Sequence, residues 1–122
     1  MLLSISNNPM VLAEGKDADC IEVNGTPLDV LYKALNLLMS GKYCLFGHPI
    51  AGNERLLKNP FRTVVFKSID SIDESVLIQQ CAYINRVLAK MEQIDYSAVP
   101  GNMSSDYKTV DYQLYRGTVS SL

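Results

Sequence analysis

The stretch FGHPIAGNERLLKNPF, residues 46–61, carries the one histidine of the chain, His48, set between Gly47 and Pro49. An imidazole titrates near pH ~6.5, so it can donate, accept or transfer a proton at neutrality. His48 directly follows the apolar run YCLF (43–46), and α/β sheets bind ligands at the carboxyl ends of their strands. Two readings stand for it. In one, His48 is a loop residue, held extended by the following proline, whose ring caps a nearby carbonyl. In the other it is a ligand-binding group at a strand end and the single candidate for an acid or base. Gly47, Gly52 and Asn53 can shape a loop whose amides point inward, with Arg55, Lys58 and Arg62 close in sequence. That combination suits an anion cradle; the competing reading is an ordinary surface loop with solvated charges. The order is neither GxxxxGK[ST] nor GxGxxG, so no nucleotide assignment follows.

Asn7 and Asn8, ahead of Pro9, end a second apolar run. They read either as an Asx-type turn or as uncharged donors and acceptors for a polar ligand. If the two runs are parallel neighbours, their ends open on one crevice, with His48 on one wall and Asn7 and Asn8 opposite. A metal is not expected: a structural zinc site needs four Cys or His ligands at short spacings, and here one His accompanies three scattered cysteines, Cys20, Cys44 and Cys81. Asp70, Asp73 and Glu74 read as helix-start charges. Cys44, four residues before His48 and inside the apolar run, reads as a core residue rather than a nucleophile. No cofactor is expected, and no complete catalytic constellation is visible.

The elements that must position these groups follow from pattern. LLSIS (2–6) is a strand stopped by Asn7-Asn8-Pro9. Residues 10–19 read as a loop or irregular edge, and CIEV (20–23) as a half-exposed strand. Thr26-Pro27-Leu28-Asp29 starts a helix that runs to about Ser40, with Gly41 beyond its end. Its polar positions, Asp29, Lys33, Asn36 and Ser40, form one narrow stripe, so it must be buried on more than one side. YCLF reads as a central strand, and RTVVFKS (62–68) as the next; the two are alternatively an antiparallel pair. Ser71-Ile72-Asp73-Glu74 has the form of a capping box for a helix to about Gln93. Leu77, Cys81, Ile84, Leu88 and Met91 lie on its buried stripe, and Gln79, Arg86, Lys90 and Gln93 face away. Residues 95–108 read as a loop, and 109–122 as a C-terminal element with two readings: a strand, in which Val110, Tyr112 and Leu114 alternate, or a short helix capped by Asp111, whose pattern runs longer. The expectation is one small α/β domain, with a mixed or mostly parallel sheet of about four strands flanked by two to three helices.

Composition sets the bounds. A chain of 122 residues, 48% hydrophobic and 20% charged, is an ordinary single globular domain. A formal net charge of −2 argues against a nucleic-acid surface, which needs clustered Lys and Arg; residues 55–67 are the one basic stretch. The odd cysteine count without a CxxC spacing fits reduced thiols in a cytoplasmic protein. MLLSISNNPM lacks the basic start and long apolar run of a signal peptide, and no run approaches the ~20 apolar residues of a membrane span. A soluble, intracellular protein of bacterial style is expected, without a membrane partner. The apolar circumference of the 27–40 helix leads to an expected homodimer through Val30, Ala34 and Leu37, unless the tail folds over it.

SISNNPMV, a helix ending in glycine, CLFGHPIAG, and a turn with Asn59-Pro60-Phe61 before a strand together resemble the GrdX family. These are small proteins encoded beside glycine reductase subunits in anaerobes that ferment amino acids. The resemblance covers about residues 4–92 and rests on Asn7-Asn8-Pro9 and His48-Pro49-x-Ala51-Gly52. The chain departs from the family pattern at Gly47, where Thr is expected, and over NERLLK (53–58). The resemblance implies an accessory role in amino-acid reductase metabolism, without a known reaction. Three functions compete: a non-catalytic binder of a small polar or anionic ligand or of a partner protein, a small enzyme using His48 as acid or base, and an assembly subunit.

Overall fold

The computed structural model describes residues 2–14, 19–47, 57–96 and 104–120. The first strand, β1 (Leu2–Ser6), is buried along its whole length. Asn7-Asn8-Pro9 ends it as expected, but the same residues also begin a helix, α1 (Pro9–Glu14), where a loop was expected. The physical reason is capping. Asn8 Oδ1 accepts the Met10 N–H at 3.1 Å, and Pro9 takes the first helical position, which needs no N–H. β2 (Asp19–Glu22) is short and half-exposed.

The next helix, α2 (Pro27–Met39), begins with a reciprocal cap. Thr26 Oγ1 accepts the Asp29 N–H at 3.3 Å, and Asp29 Oδ2 accepts the Thr26 N–H at 2.9 Å. Gly41, with φ of 77°, takes the left-handed turn beyond its end. β3 (Tyr43–Leu45) and β4 (Thr63–Ser68) pair antiparallel. The expected central strand is thus an edge: the sheet order is β2-β1-β4-β3. Its continuous apolar run is explained by packing on both faces, Tyr43 and Leu45 against one core and Phe46 against the other, not by strands on both sides.

The helix α3 (Glu74–Met91) starts at Asp73, whose side chain makes no capping bond, so the expected Ser71 box does not form. Ile72 is held out of the helix because its N–H bonds to Gly41 O at 2.9 Å and its side chain packs on the core. The last helix, α4 (Ser104–Val119), begins well before the C-terminal element expected at 109. The expected 95–108 loop takes in the polar first turn of this helix, Ser104-Ser105-Asp106, which is why its start was hidden. Asp111 accordingly lies in mid-helix and is not a cap.

Among the described residues the fold is a four-stranded mixed sheet with one parallel pair, β1 with β2. α2 and α3 cover one face, α1 and α4 the other. Ile5, Val64 and Phe66 meet Leu31, Leu38, Ile84 and Met91 on the first face. Leu2 and Val65 meet Val11, Tyr115 and Val119 on the second. Val30 and Ala34, expected at a two-fold contact, are fully buried in the first core. Most of the apolar circumference of α2 is taken up between the sheet and α3, with Tyr32 and Met39 left exposed, while the tail packs on the opposite face. No described helix is long and apolar enough to cross a membrane. The three cysteines are unbridged and half-buried, and burial pushes the Cys20 and Cys81 thiols up.

β2 runs parallel to β1, and β3 is antiparallel to β4, which is antiparallel to β1. The carboxyl ends of β1, β2 and β3 therefore share one edge of the sheet with the amino end of β4.

Candidate functional site

At that edge a chain of buried polar groups joins β1, α1, β4 and α4. The Asn8 N–H donates to Ser6 Oγ at 2.9 Å. Ser6 Oγ lies 2.8 Å from Thr63 Oγ1, and the Thr63 hydroxyl donates to Asp111 Oδ2 at 2.7 Å. A hydroxyl has one proton, so Ser6 is the donor to Thr63 and the direction of the relay is set. Asn8 Nδ2 closes it with bonds to Asp111 Oδ2 and to Lys108 O, each 2.9 Å. Asp111 is 5% exposed. Burial raises its carboxyl pKa, against the opposing bonds from Asn8 and Thr63 and the charge of Arg62. Arg62 is buried as well; burial lowers its pKa, while Asp111, Tyr96 and Tyr83 favour its charged form.

Asn7 performs the matching task one residue earlier. Its Nδ2 donates to Gly25 O at 3.0 Å and Pro60 O at 2.9 Å, and its Oδ1 accepts the Arg62 N–H at 2.8 Å. Asn59 repeats the device, with Nδ2 on Tyr107 O and Oδ1 on the Phe61 N–H, both 2.9 Å. Both asparagines of the Asn7-Asn8 pair thus spend both amide hydrogens and the carbonyl oxygen inside the chain. They align the turns that carry the sheet edge.

Beyond these bonds, between β3 and α3, lies a cavity of about 290 Å³ lined by Leu45, Gly47, Gln79, Gln80, Tyr83 and Arg86. Gly47 is fixed by two constraints. Its φ is 75°, in the left-handed region, and a Cβ there would come within 2.7 Å of Thr118 Cγ2 on α4. The Leu45 N–H donates to Gln80 Oε1 at 2.9 Å. Arg86 brings a permanent cation, Gln79 an amide, and Tyr83 a phenol that is also in electrostatic reach of Arg62.

Residues 3–120 match the family model described as GrdX-like protein. The chain belongs to the GrdX-like family. The match runs through α4, further than the resemblance seen over residues 4–92. No curated protein and no solved structure matches the chain.

In this GrdX-like chain the expected site residues separate into two groups. Asn7, Asn8 and Gly47 come to one edge of the sheet, with Asn7 and Asn8 in the polar relay and Gly47 at the cavity. His48, Gly52, Asn53 and Arg55 lie outside the described residues. The expected meeting of Asn8 and His48 can be followed only as far as Gly47. Lys58 is exposed, whereas Arg62, counted among the cations of a surface cradle, is 4% exposed and faces Asp111. Among the described residues no group of three or more His, Cys, Asp or Glu side chains could hold a metal ion.

Sequence reasoning missed Asp111 as a buried partner, and missed Gln80, Tyr83 and Arg86 as cavity walls. Gln79 and Arg86 read correctly as lying off the buried stripe of α3. Nothing in a helical periodicity marks which part of an outward face lies against an edge strand.

Proposed function

We propose that this chain is a non-catalytic accessory protein that binds a small anionic ligand in the cavity between β3 and α3. The observation that carries this reading is the make-up of that cavity: one guanidinium, two carboxamides, a phenol and an apolar wall at Leu45. Arginine stays charged at any physiological pH and its planar fork suits oxyanions. Carboxamides add directional donors and acceptors without competing charge. Charge and directional hydrogen bonds are what such a lining offers, so the arrangement favours holding a ligand over converting one. Membership among GrdX-like proteins, together with their place beside glycine reductase subunits, supports a role in amino-acid reductase metabolism. The three unbridged cysteines support a reducing, cytoplasmic setting.

The test is a calorimetric or NMR titration of the intact protein with acetate, glycine and inorganic phosphate, repeated on Arg86→Gln. At least one anion is expected to bind the native protein, with affinity falling roughly tenfold in the variant, the loss of one charge-assisted hydrogen bond. Equal and negligible response from both proteins would sink the reading.

A further inference from the structure

Among the described residues, the edge strand β3 holds a backbone donor with no strand acceptor beside it. In an antiparallel ladder the N–H and C=O of one residue face the same side and alternate residue by residue. The Phe46 N–H donates to Val65 O at 2.8 Å, so it faces β4. The Leu45 N–H therefore faces away from β4, where no further strand lies among the described residues. An edge amide left bare is a template for unwanted pairing. Here it is covered by a side chain from another element, Gln80 of α3, whose Oε1 accepts it at 2.9 Å. Leu45 and Gln80 both line the cavity, so this bond stands in its wall.

We propose that Gln80 is an internal stand-in for the ligand, and that the ligand is a small carboxylate whose oxygen displaces Gln80 Oε1 from the Leu45 N–H. The inference rests on the anion-binding reading of the cavity and deepens it. A carboxamide oxygen and a carboxylate oxygen are both planar sp² acceptors, so the position Gln80 Oε1 occupies is shaped for either. The incoming carboxylate gains a charge-assisted bond where Gln80 made a neutral one. One carboxylate oxygen would take the Leu45 amide, and the second is left for the other donors of the cavity, the Arg86 guanidinium first among them. Leu45 and Tyr83 offer apolar surface to the carbon end of the molecule. The displaced carboxamide of Gln80 needs no new protein partner, because it can turn to water.

The experiment is an amide-resolved NMR titration of the full chain with sodium acetate and, separately, with inorganic phosphate. Native protein, Gln80→Ala, Gln80→Glu and Arg86→Gln are compared. In the native protein acetate is expected to shift the Leu45 amide. Gln80→Ala should bind acetate about fivefold more tightly, because a competing internal hydrogen bond is gone. Gln80→Glu should bind it more weakly, since the built-in carboxylate holds the amide and repels the anion. Arg86-dependent acetate binding that leaves the Leu45 amide unmoved, with Gln80→Ala and Gln80→Glu unchanged, would overturn the stand-in while the anion reading survives. Phosphate binding more tightly than acetate at this amide would overturn the carboxylate assignment. Failure of every anion on every protein would remove both readings.

Discussion

The two faces of the sheet are held in different ways. Against α2 and α3 the sheet presents Ile5, Val64 and Phe66, and among the described residues eleven buried apolar side chains form one continuous core. Against α1 and α4 it presents Leu2 and Val65 at one end and Ser6 and Thr63 at the other, and the buried apolar cluster among the described residues shrinks to five. There the polar relay through Asn8 and Asp111, and the ion pair of Glu14 with Arg116, take over. An apolar core accepts any partner of similar volume. A buried relay accepts one set of donors and acceptors and is costly when incomplete. The first face therefore supplies most of the stability. The second sets how α4 sits across the edge where β1 and β3 end, and Gly47 and Asn59 both touch that helix.

The largest expected effect lies on the first face. Phe66 is fully buried in its middle, and Phe66→Ala should cost about 4 kcal/mol. Urea unfolding followed by circular dichroism should show the loss in one cooperative transition. A cost comparable to that of a surface substitution would mean the apolar face is not the main source of stability.

On the second face Asp111→Ala should cost about 3 kcal/mol, because it removes the opposite charge felt by the buried Arg62 and leaves the donors of Asn8 and Thr63 without their acceptor. Hydrogen exchange should rise first in α4 and α1 and least in α2 and α3. Asp111→Asn keeps an acceptor for both donors and should cost less. It should also change a pH dependence. Burial holds the Asp111 carboxyl above its ordinary 3.8, so between that value and the raised one the folded chain binds a proton that the unfolded chain does not. Stability from this group thus falls as pH rises through the window and is level above it. Asp111→Asn should remove that slope. An unchanged slope would show that Asp111 does not carry it.

The same contrast explains what could be read from the chain alone. The narrow polar stripe of α2 announced burial on two sides, and the 77–91 stripe of α3 marked its inner face. Periodicity reports that a face is covered, and the first face is held by covering. It does not report which polar group meets which. Asp111 precedes recurring apolar residues and so resembles a cap, yet its hydrogen-bond partner Asn8 stands 103 residues away. Asn8-Pro9 reads as a stop until Oδ1 is seen capping α1. The cavity was equally hidden: Gln80 and Arg86 are ordinary helix residues, and only the edge position of β3 makes the Leu45 amide available to them.

The smallest expected effect has the opposite sign. Gly117 lies inside α4, is exposed, has no positive φ, and a Cβ built on it meets nothing within 4 Å. Glycine there weakens the helix through the freedom it keeps when unfolded and supplies no packing in return. Gly117→Ala should therefore stabilise the chain by about 0.5–1 kcal/mol, read as a rise in thermal midpoint. The gain tests how α4 is held. If the polar relay sets its stability, helix propensity adds to the relay independently, and Gly117→Ala should recover the same fraction of a kcal/mol in the Asp111→Ala background. If α4 is already loosened from the sheet by Asp111→Ala, the alanine should lower hydrogen exchange within the helix without restoring the global midpoint. A destabilising Gly117→Ala would instead show that the open space beside Gly117 is used by a contact with another molecule.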